Sequence, residues 1–349
     1  MKSRAPRDIR VVHLSSAHYA DDRRIFWKEC ISLARAGYKV SFIVPSDECG
    51  KRTGVDVIRE GVEIVGVARR PGRIGRMLVA PLEVVFAGLQ RKADVYHFHD
   101  PELLPLGLFL RAFGKHVIYD VHEDVPRDIL VKPWIPRALR EPLSVSASAL
   151  EWIGARALSG IVAATPTIAQ RFPKDRVALV QNFALKSEFP EEGEAPRDPR
   201  WGVAYVGGLT ADRCAFEMVE AVGSIDRFPE LRFLIAGIPE SRSLMARMRE
   251  SGGWARVEYR GYQNREGVRQ LLHESRVGLV LFRPLRTFLE SQPVKLFEYM
   301  AAGIPVIAAD FPRFREIVEG NGCGICVPSQ DVAAVASAIE WIFDHPEEA

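Results

Sequence analysis

Short apolar runs recur along the chain, and most are followed by a loop and then by apolar residues at helical spacing. Ile9 to Ser15 predicts a buried strand. The loop Ser16 to Asp22 leads into a helix over Ile25 to Ala36, which Gly37 stops, and Tyr38 to Val44 predicts the next strand. This order predicts a parallel sheet. Further strands are predicted over Val62 to Val67, Asp94 to Phe98, His116 to Val121, Gly160 to Ala164 and Val177 to Gln181. Helices are predicted within Arg69 to Lys92, over Leu143 to Leu158, and after a cap at Thr165-Pro166. Ser187 to Pro199 is acidic, proline-rich and aperiodic, and reads as a linker. Beyond it the same alternation resumes, with strands over Val203 to Val206, Leu231 to Ala236, Val257 to Arg260 and Val277 to Phe282. No sequence repeat joins the two halves.

The most informative stretch is ESQPVKLFEYMAAGIPVIAAD, from Glu290 to Asp310. Pro293 can open a helix, because its missing N–H is one the first turn leaves unpaired. Leu296, Phe297, Met300 and Ala301 fall at helical spacing, Gly303 ends the helix, and Val306 to Ala309 reads as a buried parallel strand. Such a helix start is a natural anion site. Lys295 sits in its first turn, where a cation opposes the helix dipole unless the two share an anion.

The chain has 349 residues, enough for two domains, and 47% are hydrophobic. A net charge of only +2 leaves no global nucleic-acid footprint. The charge is uneven, however. Residues 1–190 carry 29 Lys+Arg against 21 Asp+Glu, a net +8, and the remainder carries 18 against 24, a net −6. A basic first half suits a phosphate-bearing acceptor or a membrane surface, and chance patchiness is the plain alternative. The five cysteines are scattered. The lone Cys323-Gly-Ile-Cys326 reads as thiols near a buried strand, not as a zinc or redox pair. The start is polar and basic with no apolar leader, so a cytoplasmic location is expected. The longest apolar run, Met77 to Leu89, contains Glu83 and is too short to span a bilayer.

Candidate chemistry lies at predicted strand ends, where parallel sheets bind ligands. The loop after the first strand holds His18, Asp21, Asp22, Arg23 and Arg24. Two other strands end in HFHDPELL, from His97, and YDVHED, from Tyr119. His97 and His99 alternate and share one face. In the second half, Gly207-Gly208 follows a strand, where glycine lets backbone approach a phosphate.

These segments together resemble glycosyltransferase family 4, retaining enzymes of the GT-B fold. The resemblance covers nearly the whole chain and is strong over residues 12–45, 94–126, 203–214 and 284–310. It implies an α/β protein of two Rossmann-like domains facing across a cleft. Residues 1–190 would bind the acceptor and residues 191–349 the nucleotide sugar. Glu290 and Glu298 match the family's spaced glutamate pair, so Glu298 would hold the ribose and Glu290 would touch the sugar at the reaction centre. His122 matches the family histidine beside the reacting sugar. Gly207, Gly208, Arg213, Tyr262, Lys295 and Leu296 fall at donor-binding positions. His18, Asp22, Arg24, His99 and Asp100 fall on the acceptor side. For Asp22 and Arg24 a helix cap and a solvated side chain remain open readings.

The pattern departs from the family at Gly208, where relatives commonly carry arginine, and at Arg213, where they carry lysine. Lys295 is a plausible substitute for the missing cation. Family members also usually continue beyond the helix that starts near Val332, with a last helix, whereas this chain ends at Ala349. The expected activity is retaining hexosyl transfer from a nucleotide-diphosphate sugar to a glycan or lipid-linked acceptor, in cell-surface polysaccharide synthesis. Peripheral contact with an anionic membrane is expected, through Arg69, Arg70, Arg73 and Arg76 and through Lys132, Trp134, Arg137 and Arg140. No cofactor or metal is required, because fixed cations would stabilise the departing diphosphate. The alternatives are a sugar-nucleotide epimerase of the same fold, a non-catalytic nucleotide-sugar-binding protein, and a metal hydrolase built on His97, His99, Asp100, His122 and Glu123.

Overall fold

The computed structural model describes residues 5–46, 56–72, 75–132, 134–185, 188–189 and 200–349. The chain divides into two compact units, Met1–Asn182 and Phe183–Ala349. The expected boundary at 190/191 and most of the expected linker lie outside the described residues. Glu188 and Phe189 are an exception and a correction: Phe189 is buried in the core of the second unit. An aperiodic sequence can still hide one anchoring aromatic.

The first unit is built on an eight-stranded sheet, ordered β3-β4-β2-β1-β5-β6-β7-β8. Its strands are β1 Arg10–Leu14, β2 Lys39–Ser46, β3 Asp56–Arg59, β4 Val62–Ala68, β5 Val95–Phe98, β6 His116–Val121, β7 Gly160–Ala163 and β8 Val177–Leu179. All pairings are parallel except β3 with β4, an antiparallel edge that the periodicity did not reveal. Alternation decides what each face carries. Val12, Leu14, Tyr96, Phe98, Val117, Tyr119 and Val121 point into one core, beneath the helices Ala80–Gln90, Leu104–Ala112 and Arg137–Ala157. The helix after β1 runs as Ile25–Cys30 and Ile31–Arg35, and its Ile25, Phe26 and Cys30 pack with Val40, Phe42 and Val44.

Helix Arg137–Ala157 begins one and a half turns before the expected start, with Pro142 inside it. Helices Leu104–Ala112 and Val125–Val131 were not read from the sequence, although each carries a proline in its first turn, where the missing N–H costs nothing. Arg73 lies outside the described residues.

The second unit holds a six-stranded, wholly parallel sheet, ordered β11-β10-β9-β12-β13-β14. The strands are β9 Gly202–Val206, β10 Arg232–Ala236, β11 Val257–Tyr259, β12 Ser275–Val280, β13 Val306–Ala309 and β14 Gly324–Val327. The first five lie at or near their predicted places, β13 with its predicted bounds, and β14 was not read. The order reverses between β9 and β12, as it does between β1 and β5 in the first unit. In open α/β sheets such a switch point is where a ligand crevice forms.

Candidate active site

Each unit carries a group of candidate residues at its own switch point. In the second unit, β9 runs into Gly207, whose φ of 135° lies in the left-handed region open to glycine. A side chain at Gly207 would stand 3.4 Å from Arg213 Nη1 and 3.6 Å from Lys295 Nζ. Two cations therefore converge on one bare glycine. A Cβ at Gly237, at the end of β10, would fall 1.8 Å from the Gly207 carbonyl oxygen, so that residue must also be glycine for the loop to close. Tyr205 Oη donates to the Gly208 carbonyl at 2.8 Å, and Arg213 Nη1 reaches the same carbonyl at 3.5 Å. Thr210 caps the turn that carries Arg213, its Oγ1 accepting the Arg213 N–H at 3.1 Å.

Lys295 lies in the first turn of helix Val294–Ala301, buried, with no hydrogen-bond partner for its ammonium. Nζ stands 3.9 Å from the centre of the Tyr205 ring. Burial, and then the neighbouring Arg213, push its pKa well below the ordinary lysine value. An anion placed against Gly207 would reverse both effects. Glu298, one turn further in, is buried and accepts from Arg265 Nη1 at 2.7 Å, while Arg265 also pairs with Glu188. Leu296 is fully buried, so only its backbone can reach a ligand. Tyr262 is largely exposed on the loop after β11, and Glu290 is exposed at the end of the short helix Arg286–Leu289.

In the first unit, the ends of β1, β5 and β6 carry a buried polar network. Asp120 is its hub. Its carboxylate accepts from Arg24 Nε at 3.1 Å and Nη2 at 2.8 Å, from His99 Nδ1 at 3.0 Å, and from His122 Nε2 at short range. Burial alone would raise the Asp120 pKa. The field and hydrogen bonds of His122, His99 and Arg24 outweigh it and hold the group well below the carboxylate range. His99 Nε2 then lies 2.9 Å from His13 Nδ1. Asp120, His13 and Glu29 were not singled out from the sequence. Alternation along β1, β5 and β6 was the available signal, because it puts His13, His97 and Asp120 on the face opposite the Tyr96 and Tyr119 core.

The loop after β1 is ordered around two acids. Asp22 Oδ1 accepts the N–H groups of Arg24 at 2.9 Å and Ile25 at 2.8 Å, so Asp22 does cap the turn that follows. Its Oδ2 lies 2.9 Å from His18 Nδ1. Arg24 is not solvated: it is buried on Asp120, and its Nη1 donates to the Val180 carbonyl at 2.8 Å. Asp100 accepts from Ser15 Oγ at 2.8 Å and from the Ser16 N–H at 2.7 Å, and His18 Nε2 stands 3.5 Å from it. His18, Asp22 and His122 are part-exposed, and the His18 and His122 ring centres lie 5.7 Å apart.

Comparison with known proteins agrees with this architecture. Residues 27–183 match the family described as Glycosyltransferase Family 4, and residues 188–349 match Glycosyl transferases group 1. The chain belongs to the family 4 glycosyltransferases of the GT-B fold. It is 25% identical over 180 residues to an alpha-D-kanosaminyltransferase of Streptomyces kanamyceticus, covering 49% of this chain and 45% of that protein. It is 23% identical over 259 residues to a phosphatidyl-myo-inositol mannosyltransferase of Mycobacterium leprae, covering 70% of this chain and 63% of that protein. The chain thus spans about half to two thirds of these relatives' lengths. Among solved structures, sucrose-phosphate synthase from Thermosynechococcus elongatus superposes with a TM-score of 0.73 at 19% identity, covering 98% of this chain and 91% of that one. Anabaena HepE in complex with UDP and glucose superposes with a TM-score of 0.69 at 13% identity, covering 97% and 91%.

Proposed function

We propose that this chain transfers a hexosyl group, with retention, from a nucleotide-diphosphate sugar to a glycan or lipid-linked acceptor in cell-surface polysaccharide synthesis. One observation carries the reading: the buried ammonium of Lys295, without a hydrogen-bond partner, beside Arg213 and Gly207 at the start of a helix. Burying a charge without a partner is costly, so the arrangement is stable with an anion present. A diphosphate supplies that anion. In the transfer, the bond from the sugar's anomeric carbon to the diphosphate oxygen breaks and its electron pair leaves with the diphosphate, while an acceptor hydroxyl oxygen bonds that carbon on the same face and gives its proton to the departing oxygen. Arg213, Lys295 and the helix N–H groups would stabilise the departing charge, so this step would call for no metal ion. Glu298 would receive the ribose hydroxyls, Tyr262 the base, and Glu290 the sugar.

On the acceptor side, the Asp120 carboxylate takes the Nε2–H of His122, which leaves His122 Nδ1 to accept from a sugar hydroxyl. His18, Asp22, His99 and Asp100 would line or order the acceptor surface, with Arg24 acting from behind through Asp120. The first unit would also rest on an anionic membrane from the cytoplasmic side. Met77, Leu78, Leu82 and Phe86 are exposed along the helical segment ending at Gln90, and Trp134 is exposed on a separate segment, after helix Val125–Val131. No helix among the described residues is long and apolar enough to cross a membrane.

The test is a thermal-shift panel of nucleotides and nucleotide sugars, followed by product analysis with the ligand that binds. A sugar bound to an added acceptor with its anomeric configuration kept supports the proposal. Epimerised nucleotide sugar without acceptor, or binding without turnover, would replace it with an epimerase or a binding protein.

A further inference from the structure

Behind the network on Asp120 lies a second group of side chains that this reading leaves unused. His13 on β1 and His97 on β5 are register partners on neighbouring parallel strands, so their rings project to the same face, with centres 4.6 Å apart. Glu29 reaches them from the helical segment Ile25–Cys30, and His99 closes the group. Each of the four offers one ligand atom, and these atoms all lie within 4.8 Å of one another.

Their hydrogen bonds do not close. His13 Nε2 and His97 Nε2 are buried without a hydrogen-bond partner, and the buried Glu29 carboxyl has only the Asp120 carboxylate and the Arg24 guanidinium beside it. The tautomers explain the first of these. Asp120 fixes the proton of His99 on Nδ1, so His99 Nε2 accepts from His13 Nδ1, and His13 Nε2 is left as a bare lone pair. Nor does the charge balance. Arg24 approaches Glu29 to 2.9 Å, but its N–H groups are directed to Asp120 and the Val180 carbonyl. Arg24 and Asp120 neutralise each other, and Glu29 is the carboxylate left over. Something positive must stand beside it, either a proton or a cation.

We propose that His13, Glu29 and His97 hold a first-row divalent transition ion, zinc by preference, while His99 orients His13 through the hydrogen bond at Nε2. Imidazole nitrogens and a carboxylate oxygen are the ligands such an ion takes, at about 2.0–2.2 Å. Tetrahedral ligands at that radius stand about 3.3 Å apart, so the three side chains close by an ångström or so around it, with water in the fourth position. The ion would supply the missing positive charge and satisfy the bare atoms together. Its role is to brace the strand ends that carry His99 and His122. It is separate from the chemistry at the diphosphate, and it uses neither Asp100 nor Glu123 of the hydrolase pattern.

The experiment is metal analysis of the full chain, purified without chelator or affinity histidines. About one zinc per chain is expected, retained in Cys323→Ser/Cys326→Ser protein and lost in Glu29→Gln and His13→Gln. After stripping with a strong chelator, added zinc should raise Tm by roughly 5 °C in the wild type and not in Glu29→Gln. Cobalt in place of zinc should give the intense visible bands of a tetrahedral site. Glu29→Gln removes the leftover charge and nearly keeps the shape, so it should fold even without metal. Metal-free protein whose Tm ignores zinc, and whose Tm is raised by Glu29→Gln, would mean that Glu29 carries a proton and would overturn the site. Zinc that disappears with Cys323 and Cys326 would overturn it equally.

Discussion

The phenolic oxygen of Tyr299 accepts the backbone N–H of Val206 at 3.0 Å, tying helix Val294–Ala301 to the end of β9 just before Gly207. Both groups are buried. Gly278 on β12 makes room for the ring, since a Cβ there would stand 2.2 Å from it. Removing the hydroxyl strands a buried N–H. Tyr299→Phe should therefore cost about 1–3 kcal/mol in a denaturant titration, and it should also weaken nucleotide binding, because the strut sets the distance from Lys295 to Gly207. A variant as stable as the parent would show that the N–H finds another partner.

The two cations at Gly207 make a sharper claim about affinity. Lys295→Met keeps the volume of the stem and removes the charge. Nucleoside diphosphate affinity, read by calorimetry, should fall at least tenfold, while stability in the absence of ligand should rise, because an unpaired buried ammonium is gone. Glu298→Gln should also lose about tenfold, through one charge-assisted hydrogen bond. Unchanged affinity in folded Glu298→Gln would leave that carboxylate as a partner of Arg265 alone.

For His122 the prediction separates turnover from anchoring. His122→Ala should lower kcat by roughly a hundredfold through loss of the polar contact with the reacting sugar. Nucleoside diphosphate affinity should stay within about twofold of the parent. Equal losses in both quantities would move His122 into the anchor.

The pH dependence of stability should report on His18 and Asp22. Burial would raise the Asp22 pKa, but the hydrogen bonds from His18, Ile25 and Arg24 bring it down to about 2. Its contribution is therefore present above its ordinary value of 3.8 and fades as pH falls toward 2. Burial works against a charge on His18 too, and Asp22 and Asp100 outweigh it, raising that pKa above 6.5. That contribution is present below pH 6.5 and fades as pH rises through the raised value. Asp22→Asn keeps the capping oxygen and loses the charge. It should cost about 2 kcal/mol near pH 5.5 and less at pH 8.5. A cost that stays flat between those two pH values would remove the ion pair from the account.

Membrane contact can be read by vesicle co-sedimentation. Of the arginines expected to face lipid, Arg70 is paired with Glu83, and Arg69 lies over the Tyr19 ring at 4.4 Å with Nη2 on the Pro45 carbonyl. The exposed apolar row Leu78, Leu82 and Phe86 should then matter more than charge. Binding should need anionic lipid, fall as salt rises, and be lost in Leu82→Ser/Phe86→Ser. Protein that stays in the supernatant at low salt would indicate a soluble acceptor.

Much of the architecture was legible in the chain itself. Strands of a parallel sheet are buried on both faces and read as unbroken apolar runs, so β1, β2, β5, β6, β9, β10, β12 and β13 could be placed by inspection. Lys295 was legible as an anomaly, a cation at the positive end of a helix. What the sequence could not say is which side chains meet. Whether Arg24 was solvated or buried depended on Asp120, 96 positions away. Nothing local in Asp-Val-His separates the hub of a network from an ordinary strand-end acid. Glu29 reads as a polar residue of an amphipathic helix, and only the packing of that helix on β2, beside β1, brings it to His13 and His97. Strand periodicity is a local property that survives in the sequence. The pairing of buried charges is set by sheet order and register, which come from contacts between distant segments, and those only the tertiary structure decides.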